Sequence, residues 1–232
     1  MCCRPEMCRG IALGELLAVA RRHVVERSNP MTTLLLIDSS ARQADSHTRS
    51  LSRYFSASWN RRFPGSRVIS RDLVESELPH LDDETIKAFY GLAEKGRERT
   101  LGVSKSDELI DEVMQADVIC LASPMYNFSV PALLKAWIDL VVRGGKTYRK
   151  VADGRLEGMC PGKTVVVLSS SGGVFSASDM DHLCPYLDVV LGFMGITDVE
   201  HIKLEGMALS ETDHNESRAA AHRAIDAFID AL

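Results

Sequence analysis

From Thr33 onward, short β-rich runs alternate with longer amphipathic stretches, the pattern of a parallel sheet covered by helices on both faces. Five strands are predicted: Thr33 to Asp38, Arg67 to Asp72, Asp117 to Ala122, Lys163 to Ser169 and Asp198 to Leu204. The first, third and fourth are continuous apolar runs (LLLI, VICLA, TVVVL), as expected of central strands buried on both faces. The second and fifth are more polar and fit the edges. Between the first two strands, Leu51, Tyr54, Phe55, Trp59 and Phe63 recur at helical spacing and form a core stripe. A second helix is predicted from Leu109, Ile110, Val113 and Met114, with Asp107 and Glu108 in its first turn. A third follows Pro131, whose fixed φ suits a first turn, and ends near Gly144. A fourth carries Leu183, Leu187, Val190, Leu191 and Met194 and stops at Gly195, and the last runs through Ala220, Ala224, Ile225, Phe228 and Leu232.

Residues 1–30 break this pattern with three cysteines and mixed charges, and are read as an extension outside the fold, with Met31 as a candidate working start. Residues 31–232 then form one domain. The 232-residue length and 45% hydrophobic content suit a single α/β body with a substantial core. A net charge of -5 without a long basic run excludes a nucleic-acid reader. Cys2, Cys3, Cys8, Cys120, Cys160 and Cys184 lack zinc-site spacing, so no metal is expected, and reduced thiols point to the cytoplasm. The apolar stretch from Ile11 to Ala20 is too short to span a bilayer and carries Glu15, so no membrane anchor is expected. His182, His214 and His222 are read as surface residues.

Ligands of an open α/β sheet bind outside the carboxyl ends of the strands where strand order reverses. In the order 2-1-3-4-5, the loops after strands one, three and four converge on one crevice. The first runs from Ser39 to Thr48 and leads into a helix whose free N–H groups and partial positive charge suit a phosphate. Its hydroxyls fit two roles: phosphate ligands, or simple helix caps at Ser46 or Thr48. The absence of G-x-G-x-x-G and of G-x-x-x-x-G-K-[ST] disfavours a dinucleotide or nucleoside triphosphate cradle and leaves open a single terminal phosphate, such as that of FMN. The third loop, Ser123 to Pro131, joins prolines, Tyr126, Phe128 and an amide, and reads either as a wall for a flat ligand or as a turn with incidental core aromatics. The fourth strand ends in Ser169-Ser170-Ser171-Gly172-Gly173, where glycines allow close backbone approach.

At these loops the chain resembles the FMN-dependent NADH-azoreductases, a branch of the flavodoxin-like quinone reductases. The likeness covers residues 31 to 232 and rests on Pro124-Met125-Tyr126-Asn127-Phe128, on the following helix with Lys135, Asp139, Arg143 and Gly145, and on Gly192 to Asp198. The resemblance implies a flavodoxin-like fold with a five-stranded parallel sheet. It also implies that FMN is held by Ser40, Ser46, His47 and Thr48 at the phosphate, by Met125, Tyr126, Asn127 and Phe128 at the ring, and by Ser170, Ser171, Gly172 and Gly173 at a second ring loop. Ser171 departs from the family, which usually has arginine there, so the arginine's side-chain role does not carry over, while backbone contacts from the two glycines remain open to this chain.

The family further implies a ping-pong reaction in which NADH or NADPH reduces the flavin and then leaves, and a quinone or an azo compound takes its place. Azo cleavage to two amines needs two such rounds. No catalytic side chain is expected, because the cofactor carries the hydride chemistry, while Tyr126 and Phe128 are candidates for stacking on a flat acceptor. A homodimer with its flavin sites at the subunit boundary is carried by the resemblance alone. The competing classes are a non-catalytic FMN electron carrier, which would usually show a strongly one-signed surface, and a redox-sensing module. A hydrolase is disfavoured by the lack of G-x-S-x-G, and a metalloenzyme by seven histidines without H-E-x-x-H.

Overall fold

The computed structural model describes residues 32–96, 98–176 and 178–232, save the side chain of Asp213. The extension over residues 1–30, with Cys2, Cys3 and Cys8, and Met31 after it lie outside the described residues. The central sheet contains β1 (Thr33–Asp38), β2 (Arg67–Asp72), β3 (Val118–Pro124), β6 (Thr164–Ser170) and β7 (Asp198–Leu204), and two short strands form a separate hairpin, β4 (Tyr148–Lys150) and β5 (Leu156–Gly158). The helices are α1 (His47–Arg62), α2 (Asp83–Phe89), α3 (Leu101–Gln115), α4 (Ala132–Val141), α5 (Cys184–Phe193) and α6 (Glu211–Asp230).

The large sheet runs in the order β2-β1-β3-β6-β7, all neighbours parallel. With the hairpin set aside, this is the expected 2-1-3-4-5 order of a doubly wound, flavodoxin-like sheet. Because successive side chains of a strand point to opposite faces, the apolar runs feed two cores. Leu34, Leu36, Cys120, Val166 and Leu168 face α1 and α6, where they meet Leu51, Phe55, Trp59, Ile225 and Phe228. Leu35, Ile37, Ile119, Leu121, Val165 and Val167 face α3, α4 and α5, where they meet Leu109, Val113, Leu134, Trp137 and Leu187. Phe55 and Trp59 are fully buried, and each such side chain contributes roughly 1.5–3 kcal/mol by leaving water.

The second predicted helix begins earlier than its apolar spacing suggested. Thr100 caps α3, accepting from the Val103 N–H at 3.1 Å, so Asp107 and Glu108 lie in mid-helix rather than in its first turn. They pair across elements instead: Asp107 takes Arg143 at 2.9 Å and Glu108 takes Arg71 at 2.7 Å. The helix after Pro131 ends at Val141, short of Gly144. α2 and the β4–β5 hairpin were not predicted. No helix among the described residues is long and apolar enough to cross a membrane.

Candidate functional site

The carboxyl ends of β1, β3 and β6 open on a crevice enclosing about 200 Å³, lined by Ser40, Arg42, Ser46, His47, Pro124, Met125, Tyr126, Ser170, Ser171, Gly172 and Met207. Eight of the twelve sequence-predicted binding residues line it. The other four stand just outside. Thr48 is fully buried with its Oγ1 3.3 Å from Ser46 Oγ, Asn127 and Phe128 project into solvent at the tip of the third loop, and Gly173 packs over Phe175.

One end of the crevice suits an anion. Ser46 is the N-cap of α1 and accepts from the Arg49 N–H at 3.4 Å, so its own proton remains available to another acceptor. The N-terminus of α1, Ser40, Ser46 and the exposed Arg42 all line this part of the crevice. Burial, then the charges of Arg218, Arg42 and His214, lowers His47 from the usual histidine range.

The other end is flatter and more apolar. β3 runs through Ser123 and Pro124 to pair with Ser169 and Ser170 of β6, and the Met125 N–H donates to Ser170 O at 2.7 Å, which locks the third loop to the fourth. Tyr126 O–H lies 3.4 Å from Ser40 Oγ and bridges this wall to the first loop. The turn is strained: Asn127 (φ 50°) and Phe128 (φ 72°) are both left-handed, as is Asp45 (φ 54°) beside the anion end, and such non-glycine strain gathers at functional sites. Phe128 meets Phe175 edge-on at 5.9 Å.

The second ring loop is held from behind. Ser171 O accepts from the Met207 N–H at 3.0 Å, Gly172 O from Ala208 at 2.9 Å and Gly173 O from Gly206 at 3.1 Å. A trans peptide points its N–H opposite to its C=O, so the Gly172 and Gly173 N–H groups face away from the 206–208 segment. Ser171 Oγ is engaged locally, donating to Gly173 O at 2.8 Å.

Sequence reasoning missed Arg42, Pro124 and Met207. Arg42 and Pro124 lie within loops already singled out, where hydroxyls and aromatics drew the reading. Met207 follows the edge strand β7, whose loop no topological rule brings to the crevice. Two histidines read as surface residues are in fact half-buried: His222 stacks on Tyr54 at 3.8 Å, and His214 meets His47 edge-on at 6.5 Å, because α6 packs against α1. His182 is exposed as expected.

Comparison with known proteins adds a family to this geometry. A family model described as flavodoxin-like fold matches residues 32–229. An FMN-dependent NADH:quinone oxidoreductase of Alkalilimnicola ehrlichii is 44% identical over 183 residues, covering 79% of this chain and 91% of its own. A solved structure of the azoreductase AzrA is 25% identical with a TM-score of 0.79, covering 87% of this chain and 100% of that one. The azoreductase structure from Bacillus anthracis strain Sterne, 24% identical with a TM-score of 0.80 over 87% of this chain and 100% of that one, shares the fold.

Proposed function

The chain belongs to the flavodoxin-like family of FMN-dependent NADH:quinone oxidoreductases, and from that premise we propose that it is an FMN-dependent oxidoreductase that passes electrons from NADH or NADPH to quinones and to aromatic azo compounds. The observation that carries the reading is the crevice itself, with hydroxyls, Arg42 and a helix N-terminus at one end and a proline–methionine–tyrosine wall with the Ser170–Gly172 segment at the other. That donor set fits a mononucleotide: a terminal phosphate at the first and a flat, partly polar ring at the second.

In this reading Ser40, Ser46 and His47, with Thr48 packed behind Ser46, hold the phosphate, while Met125, Tyr126 and the Ser170–Gly172 segment hold the ring and Asn127, Phe128 and Gly173 border it from just outside the crevice. When bound, FMN supplies the hydride-accepting and hydride-donating centre. The protein positions it and stabilises the charge it gains. The N–H groups of Gly172 and Gly173, turned away from the 206–208 segment by the bonds behind them, are fixed donors for that charge, and fixed donors cost no reorganisation when the charge develops. This role needs no side chain at position 171, which accommodates Ser171. Tyr126 in the crevice wall and the exposed Phe128 beside it are the aromatic faces on which the nicotinamide, and after it a flat acceptor, would stack. A ping-pong order follows from one crevice serving both.

We also read the active form as a homodimer. An apolar groove of about 420 Å³ between α2, α4 and α5 exposes Ile86, Tyr90, Val189 and Phe193, a surface that suits a second copy. We also read the protein as working in the cytoplasm, in keeping with the free thiols of Cys120, Cys160 and Cys184.

The test is steady-state NADH oxidation by the purified protein with a quinone, and separately with an azo dye. Released cofactor should be FMN, and double-reciprocal plots at varied acceptor should be parallel. A protein that binds FMN but sustains no turnover would instead be an electron carrier or sensor, and released FAD would refute the cofactor assignment.

A further inference from the structure

Behind the anion end of the crevice, Arg49 is buried in the first turn of α1, and every branch of its guanidinium is engaged. Nε donates to Arg42 O at 3.0 Å and Nη2 to Ser40 O at 2.9 Å, while Nη1 and Nη2 grip both oxygens of Asp72 at 2.5 and 2.8 Å. Asp72 ends β2 and is tied to its own chain by the Val74 N–H at 3.0 Å. One planar side chain thus joins the first loop to the end of the neighbouring strand.

The loop's chemistry gives this joint a purpose. A backbone that binds an anion must turn its carbonyl oxygens away from it. The guanidinium takes the carbonyls of Ser40 and Arg42, two residues that line the crevice. Peptide planarity then directs the N–H groups of Ala41 and Gln43 to the side opposite Arg49. There is a charge problem as well. Asp38 and Asp72 are register partners at the ends of β1 and β2, beneath the place where a phosphate would sit. The Arg49 hydrogen bonds hold Asp72 below the usual carboxylate range, and burial pushes Asp38 above it. The guanidinium pairs directly with Asp72 and its charge also acts on Asp38, offsetting their field.

We propose that Arg49, braced by Asp72, is a positioning residue for anion binding: it rotates the Ser40–Arg42 backbone so that N–H groups rather than carbonyls are presented to the cofactor phosphate. The inference rests on the phosphate assignment proposed above. Lysine cannot replace this function, because a single ammonium cannot serve two carbonyls and a bidentate carboxylate at fixed angles.

The full chain, stripped of flavin, is titrated with FMN and with riboflavin by fluorescence quenching. Arg49→Lys should weaken FMN by about tenfold or more, the scale of one or two lost charge-assisted hydrogen bonds, with riboflavin changed less than about twofold. Asp72→Asn, which keeps the shape and loosens the brace, should shift FMN in the same direction by a smaller factor, and it decides the matter if the lysine variant does not fold. If Arg49→Lys keeps the parental preference for FMN over riboflavin, or weakens both flavins equally, the positioning role is overturned while the phosphate assignment stands. A parental protein with no preference for FMN would overturn the phosphate assignment itself, and the inference with it.

Discussion

Ser46 Oγ accepts from the Arg49 N–H and lies 3.3 Å from Thr48 Oγ1, an arrangement in which capping and anion binding use different parts of the same hydroxyl. Replacing Ser46 and Thr48 together by alanine separates the two roles. Hydrogen bonds to a charged group are worth roughly 1.5–3 kcal/mol each, so FMN affinity should fall by more than tenfold while riboflavin affinity hardly changes. Were these residues caps alone, the variant would lose about 1 kcal/mol of stability and both flavins would weaken alike, which a melting curve of the flavin-free protein would report. That Ser40, Ser46 and His47 line the crevice followed from the topology, which brings the loop after β1 to it; the loop's hydroxyls alone left phosphate ligands and helix caps as equal readings. Arg49 was not legible: an arginine in a first helical turn runs against the helix dipole, and only its two carbonyl partners and Asp72 explain it.

Among the elements, β5 and the end of α5 meet without side chains between them. A Cβ added at Gly158 would fall 2.1 Å from Gly195 N and 2.2 Å from Met194 C, and one added at Gly195, which adopts φ 89°, would fall 3.1 Å from Gly158 C. The Cys160 N–H donates to Met194 O at 2.9 Å across the same contact. Gly158→Ala should therefore destabilise the protein by at least the roughly 1–3 kcal/mol of ordinary overpacking, since backbone rather than a flexible side chain must move. A midpoint in urea unchanged by this substitution would show that the hairpin does not dock there in solution. This contact also explains what sequence reading could and could not find. β1, β3 and β6 announced themselves through apolar runs buried on both faces, and Gly195 marked the end of α5. The β4–β5 strands are three residues each and half polar, with no periodicity to detect, and they are specified by tertiary docking. α2, seven residues long, is likewise too short for a stripe.

At the scale of the whole molecule, both faces of the five-stranded sheet are covered by helices drawn from within residues 47–230, α1 and α6 on one side and α3, α4 and α5 on the other. β1 is anchored at its start by residues far along the chain: the Thr33 N–H donates to Asp117 Oδ2 at 2.9 Å, and the Asp117 N–H returns to Thr33 O at 2.9 Å. From this closure we expect the sheet and the crevice to form without residues 1–30. Deleting them should leave flavin binding intact and keep the melting temperature within about 4 °C of the full chain, the shift that about 1 kcal/mol produces in a protein of this size. The deletion also removes Cys2, Cys3 and Cys8. The cysteines that remain are buried, burial pushes their thiols up, and Cys184 reaches about 12. The truncated native protein should accordingly be nearly inert to an aromatic disulfide at pH 8 and yield its three thiols only in denaturant. A truncated chain that came out insoluble, lost its flavin, or reacted at once through those thiols would show that the first thirty residues pack onto the body and belong to its structure.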